Sequence, residues 1–372
     1  MVGDIGPVLR IENYVFRFRQ SFKTRTNTNV VLGETPDKQL MIIKTALPTN
    51  VVGSGPAELE KQVQQMRILN EILGVNSPFP PIIYFNGTTL ITPYFGGGTL
   101  ADIVRHDPAL FRSRFHDALC LLFSEVGLVA QYGPDGRGFL DTQIEKRLKR
   151  LYQILEGTSV GRSFNNTFLS KEVLARRRLS VIEKWQQNKV FVYLGTALGP
   201  RRLALALHGD FVAENIVLGP TQSARWTRNV AFIDPRGMVV WKDSLPWWDP
   251  VMDLASFITF EEIVVPIEYE LGIRTGSEYE TRENYRDPST WIIPHLCEEL
   301  PCFNDWMSND RRWKDRLVVS VFTRLLGYIS IALAYGPPRG EVYAHRILLA
   351  CSDVFEYVEH IVVKELGASI FT

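Results

Sequence analysis

An excess of charge is the first thing missing from this chain. Its 41 Lys and Arg residues balance 41 Asp and Glu residues, for a formal net charge of zero over 372 residues. A chain without net charge has no global field to gather nucleic acid or an anionic membrane, so neither is expected as a partner. Local basic runs at Arg176-Arg177-Arg178 and Arg311-Arg312 fall in helix-like stretches and read as solvated faces. Cysteine is also scarce, with four residues at 120, 297, 302 and 351. No C-x-x-C pair recurs, which argues against a zinc site. Cys120 and Cys351 sit in apolar helical surroundings and read as small core residues. A reduced, cytoplasmic protein fits this usage. The first ten residues, MVGDIGPVLR, hold no apolar run of signal length. The longest apolar stretch, Leu317 to Tyr335, is broken by Arg324 and reads as a buried helix, not a membrane span. Internal repeats and low-complexity tracts are absent.

What is present is ordinary globular material, 45% hydrophobic and 22% charged. The length exceeds one average domain, so two lobes are expected. Short alternating runs come first: Tyr14 to Phe18, Asn29 to Leu32 and Leu40 to Lys44. Period-two alternation predicts an antiparallel meander. Gly55-Pro56 then opens a helix over residues 57–73, with Leu59, Val63, Met66, Leu69 and Leu73 at helical spacing. Ile82 to Phe85 and Leu90 to Thr92 read as two further strands around Asn86-Gly87. Beyond Gly96-Gly97-Gly98 helical patterns dominate: Leu110 to Tyr132, Thr142 to Leu155, Lys171 to Gln187 and Arg316 to Tyr335. The predicted class is α+β, with a five-stranded sheet and helix in residues 1–96 and a mainly helical lobe in residues 97–372.

The chemistry concentrates in two segments, ALHGDFVAENIVL over residues 206–218 and AFIDPRG over residues 231–237. Asp210 is followed five residues later by Asn215, and Asp234 closes an apolar strand-like run. Apolar runs at Leu203 to Leu207, Ile216 to Leu218 and Val230 to Ile233 place all three polar groups at the ends of short buried strands. A carboxylate, an amide and a second carboxylate in this order suit phosphoryl transfer. One group orients and deprotonates an attacking hydroxyl, and two oxygen ligands hold Mg²⁺ against phosphates.

The H-G-D-x-x-x-x-N run and the simple I-D strand end resemble the aminoglycoside phosphotransferase and choline kinase-like branch of the protein kinase-like fold. That resemblance implies a bilobal fold, ATP or GTP as co-substrate, Mg²⁺, and a small hydroxylated acceptor. It implies Asp210 as the base, with His208 of the same motif as a further catalytic candidate, and Asn215 and Asp234 as Mg²⁺ ligands; Arg236, two residues after Asp234, either neutralises the transferring phosphoryl group or an anionic acceptor, or is an ion-paired structural residue. Lys44, ending Met41-Ile42-Ile43-Lys44, would contact nucleotide phosphates and be held by a helix glutamate. Glu60, one turn before Val63, fits the family's helix better than Glu58. Pro93, Tyr94 and Phe95 would meet the adenine edge. The turn from Arg19 to Thr28, RQSFKTRTNT, departs from the glycine-rich pattern of protein kinases. Ser21, Thr24, Lys23 and Arg25 are its candidate phosphate contacts.

At the acceptor end, Asp249-Pro250 and Asp253-Leu254-Ala255 match a downstream element of the same family, in which the later Asp supports the catalytic loop. The polar segment from Glu268 to Trp291 reads as a lid, an acceptor loop or a solvated insertion. Trp241, Trp247 and Trp248 suit either core packing or stacking on a sugar or quaternary amine. Asp234-Pro235-Arg236-Gly237 leans toward a sugar-pathway hydroxyl as acceptor. A nucleotidyl (AMP) transferase and a catalytically silent binding protein stay open as alternatives. A monomer or homodimer is expected.

Overall fold

The computed structural model describes residues 7–22, 28–48, 55–102, 139–199, 208–219, 230–236, 251–273 and 312–367, with positions 114, 117, 118, 121, 249 and 310. Two compact units emerge. The first comprises residues 1–129 and 205–247, the second residues 130–204 and 248–372. Residues 205–247 lie far beyond the expected lobe boundary near residue 96, yet they group with the N-terminal sheet.

The first unit is built on an antiparallel sheet of strands β1 (Val8–Ile11), β2 (Tyr14–Phe22), β3 (Thr28–Glu34), β4 (Leu40–Ala46), β5 (Tyr84–Phe85) and β6 (Thr89–Pro93), in the order β1-β2-β3-β4-β6-β5. The sheet has six strands where the sequence predicts five. The added strand, β1, is an edge strand pairing only with β2. Its four residues are too few to show a convincing alternation. Along the other strands, side chains two apart share a face. Phe16, Val31, Met41, Ile43 and Ile91 pack together on one face. Ala46 and Leu90 pack on the other, against Leu59, Val63 and Met66 of helix α1 (Pro56–Leu73). Lys44 therefore points to the α1 side, two residues before Ala46. Pro56 stands in the first turn of α1, where its missing N–H costs nothing.

A second, small sheet completes this unit. Strands β7 (Ile216–Leu218) and β8 (Val230–Phe232) pair antiparallel, with Ile216 opposite Phe232. Phe232 N–H donates to the Pro78 carbonyl at 2.9 Å, which ties β8 to the chain following α1.

The second unit is helical. It holds α2 (Phe139–Gly157), α3 (Ser159–Phe164), α4 (Val173–Gln187), α5 (Val190–Ala197), α6 (Val251–Ile258), α7 (Val265–Glu270), α8 (Trp313–Leu333) and α9 (Arg339–Leu366), with π-helical turns at Asn165–Leu169 and Thr259–Val264. Three of the predicted helical runs correspond to α2, α4 and α8. The run from Leu110 to Tyr132 lies largely outside the described residues. Helix α8 is long and apolar enough to cross a membrane, but 72% of its most apolar window is buried in the protein. Arg178, expected on a solvated face, instead reaches from α4 to α9, bonding Ser352 and Glu356. Cys351 is buried in α9, as a small core residue should be, and burial pushes its thiol pKa up.

Candidate active site

An antiparallel hairpin brings the start of its first strand beside the end of its second. Asn215 precedes β7 and Asp234 follows β8, so both fall at the same end of the small sheet. Ile233 N–H donates to the Asn215 carbonyl at 3.0 Å and locks this juxtaposition. Asp234 adopts φ +55°, a left-handed backbone uncommon outside glycine that aspartate tolerates better than most residues.

The loop before β7 carries Asp210. Asn215 Nδ2 donates to the Asp210 carbonyl at 2.8 Å and lies 3.5 Å from the Asp210 carboxylate. With its NH₂ turned to Asp210, the Asn215 amide leaves Oδ1 as an acceptor. Arg236 Nε stands 3.4 Å from Asp210 Oδ2 without hydrogen-bond geometry, so the approach is one of charge. The Arg236 N–H donates to the His208 carbonyl at 2.6 Å, tying the segment after β8 to the Asp210 loop.

His208 is fully buried. The rings of Phe79, Phe211 and Phe232 surround it at centroid distances of 6.0–6.3 Å. Its Nε2 lies 2.6 Å from the Ile233 carbonyl, which can only accept, so Nε2 carries the proton. Its Nδ1 accepts from the Asp210 N–H at 3.2 Å. Burial lowers the His208 pKa to about 4, against the smaller raising effects of Asp210 and the Ile233 carbonyl. A neutral imidazole with both nitrogens engaged by backbone cannot shuttle protons. His208, expected among the catalytic groups, is thus placed by the structure as a link that joins the β8 end to the Asp210 loop.

Lys44 is buried on β4. Its Nζ donates to Asp234 Oδ1 at 2.7 Å and to Gln62 Oε1 at 3.2 Å. The Asp234 carboxyl would be pushed up by burial, but the ammonium of Lys44, with Arg236 and His208, outweighs this and holds it below the usual range. The helix partner of Lys44 is therefore Gln62, and the expectation of Glu60, with Glu58 in reserve, is corrected. At about 100° per residue, Glu60 and Gln62 point to nearly opposite sides of α1. Glu60 is exposed, whereas Gln62 is buried in the stripe with Leu59, Val63 and Met66. A polar residue at core spacing demands a partner, and that was the signal in the sequence for Gln62. Nothing in the sequence signalled the phenylalanine box around His208, because Phe79 lies far from the motif.

The segment expected to meet an adenine edge runs off β6. Tyr94 N–H donates to the Leu40 carbonyl at 2.9 Å. Pro93 opposite Met41 is then a non-hydrogen-bonded pair, so its carbonyl points away from β4. Phe95 is buried. Gly97, at φ +72°, approaches β7 so closely that a Cβ would sit 1.8 Å from the Leu218 carbonyl oxygen. A Cβ on Gly219 would meet the Phe95 ring at 2.3 Å. Leu218 N–H donates to the Gly98 carbonyl at 2.9 Å, and Thr99 bridges to Val217. Glycines at these positions let the segment after β6 dock on the β7–β8 hairpin.

Other candidates are more distant or less defined. Ser21 is exposed near the end of β2, opposite Val31. Lys23, Thr24 and Arg25 lie outside the described residues, as do Trp241, Trp247, Trp248 and most of the segment 268–291. The first residues of that segment belong to α7, where Glu268 is buried and accepts from the Tyr343 hydroxyl at 3.0 Å. Asp249 and Asp253 are both buried in the second unit. Asp249 Oδ1 accepts from the Val251 N–H at 3.1 Å, and Asp253 stands in the first turn of α6.

No protein-family model matches the chain, and no curated protein matches it. Solved structures do. A choline kinase from Cryptosporidium parvum superposes with a TM-score of 0.55 at 10% identity, over 97% of this chain and 95% of that one. An ethanolamine kinase from Plasmodium vivax gives 0.53 at 12% identity, over 92% and 82% of the two chains. The GDP complex of an aminoglycoside 2'-phosphotransferase gives 0.50 at 12% identity, over 95% and 94%. At such identities the likeness is one of fold. The chain has the protein kinase-like α+β fold that its motifs implied, in the form shared by these phosphotransferases.

Proposed function

We propose that the chain is a phosphotransferase that moves the terminal phosphoryl group of ATP or GTP onto a hydroxyl of a small metabolite. One observation carries this reading: Asp210, Asn215 and Asp234 meet at one end of the β7–β8 hairpin, with the buried Lys44 ammonium 2.7 Å from Asp234. In this reading Asp210 orients the acceptor hydroxyl and takes its proton as the oxygen bonds to phosphorus and the bond to the leaving diphosphate breaks. Lys44 draws the phosphates toward the site. Arg236 balances the charge of Asp210 and of the phosphoryl group in transfer.

The donor set fits magnesium, which takes one or two protein oxygens and fills its sphere with phosphate and water. Asp234 uses one carboxylate oxygen for Lys44 and keeps the other, while Asn215 offers Oδ1. When bound, Mg²⁺ supplies charge neutralisation at the phosphates. Pro93 and Phe95 supply the backbone groups for the base, and Ser21, near the end of β2, is a candidate phosphate contact. The Asp234-Pro235-Arg236 run favours a sugar-pathway hydroxyl as acceptor.

The test is a screen of sugars, amino alcohols and nucleosides with MgATP and MgGTP, read by product mass. An acceptor gaining one phosphoryl group supports the reading. An acceptor gaining a nucleotide identifies a nucleotidyl transferase instead. Binding of nucleotide with no turnover on any acceptor points to a silent binding protein.

A further inference from the structure

Lys44 is held on its helix side by a neutral group. Its Nζ lies 3.2 Å from Gln62 Oε1 and 2.7 Å from Asp234 Oδ1. Gln62 and Lys44 are both buried, at 5% and 6% exposure, so their contact is shielded from solvent. An ammonium has three donors, and these two bonds fix its position while leaving a third. Among the described residues its one ion pair is with Asp234. Neither helix carboxylate nearby in sequence bonds Lys44: Glu60 is exposed, and Glu58, one turn before Gln62 and half-buried, makes no hydrogen bond to it.

We propose that Gln62 positions Lys44 for nucleotide phosphates without adding a second carboxylate to the one that Lys44 meets in Asp234, so that nucleotide binding relies less on a divalent cation than a carboxylate at this position would allow. This rests on the reading of the site given above. An amide fixes direction as a carboxylate does, since both accept from the ammonium through an oxygen. The difference is electrostatic. A glutamate here would pair with Lys44 and repel the phosphates. That repulsion grows with the charge on the nucleotide, and Mg²⁺ cancels a large part of that charge. The penalty of a carboxylate is therefore greatest when no metal is present.

The experiment is calorimetry of ATP, and of GTP in the same format, on the full chain. Each nucleotide is titrated once with Mg²⁺ and once with EDTA. For Gln62→Glu the nucleotide is expected to bind about tenfold more weakly in EDTA and about threefold more weakly with Mg²⁺. The ratio of the two affinities thus rises. Gln62→Leu, which removes the acceptor without adding charge, is expected to weaken both by a similar factor of about three. Glu60→Gln should leave the ratio as in the wild type. An unchanged ratio in Gln62→Glu, in a wild type that binds nucleotide, overturns the inference and leaves the kinase reading standing. A wild type that binds neither ATP nor GTP overturns both. If Gln62→Glu unfolds, Gln62→Leu still decides: unaltered affinity in both conditions excludes a positioning role.

Discussion

Asp234 and Asn215 end neighbouring strands, yet their side chains are not equivalent. A carboxylate brings charge to a divalent ion, and an amide brings only a dipole. Asp234→Ala is therefore expected to weaken MgATP binding more than Asn215→Ala, by calorimetry. Equal and unchanged affinities would remove both from the metal site. His208 makes a different kind of demand. Its pKa falls from an ordinary 6.5 to about 4 in the folded chain. Between these values the unfolded chain binds the proton and the folded chain does not, so folding stability drops as pH falls. The loss is complete near pH 4 and amounts to on the order of 3 kcal/mol. Urea unfolding from pH 7 down to pH 4 should show this slope in the wild type and lose it in His208→Gln. Equal slopes would mean that His208 is not the buried neutral group described here. That Asn215 and Asp234 flank short buried strands was legible, because each sits in a short motif beside an apolar run. Gln62 is less legible, because Glu60, two positions away on the exposed face, offers the carboxylate that an ammonium ordinarily meets.

Among elements, the β7–β8 hairpin does most to assemble the site. It sets Asn215 against Ile233 and supplies the surface on which the segment after β6 docks. Gly97 is the tightest point of that docking. A methyl group there meets backbone, which no rotamer change can relieve, and the residue also holds a positive φ. Gly97→Ala is expected to cost about 2 kcal/mol or more in stability, measured by denaturant midpoint. A cost below about 0.5 kcal/mol would show that the segment can back away from β7. Strand alternation and the α1 stripe made most of the first sheet readable in sequence. Edge strand β1 escaped because four residues carry little periodicity. Helix α9 shows in sequence only as the apolar helical surroundings of Cys351, although Tyr343, Ile347, Cys351, Phe355, Val358 and Val362 recur on one buried face. Charged residues between them break the run into pieces that read as unremarkable one at a time.

At the scale of the whole molecule, chain order and spatial grouping differ. Residues 205–247 return to the first unit after a long helical excursion, a return that no local pattern announces. The second unit is likewise tied together over long sequence distances. Buried Arg316, in the first turn of α8, bonds Asp249, meets Asp310 at 2.6 Å and donates to the Leu198 carbonyl at 3.3 Å. Burial alone would lower its pKa, but the two aspartates outweigh that and raise it. Removing one member leaves the others buried and unpaired. Arg316→Met is expected to destabilise the protein by roughly 3–5 kcal/mol, seen in chemical denaturation. A change under about 1 kcal/mol would mean that water or another group compensates the aspartates.

The proposed role of Asp210 is to receive the acceptor proton in a nucleotide-dependent phosphoryl transfer. It is tested most directly by comparing wild type and Asp210→Asn on the acceptor found by the screen, with turnover and nucleotide affinity measured side by side. Asparagine keeps the size of the side chain and its acceptor oxygen but cannot take the proton at neutral pH. Turnover is expected to fall by about 10²–10⁴-fold, with MgATP affinity within about threefold of wild type. Near-normal turnover in Asp210→Asn would contradict it.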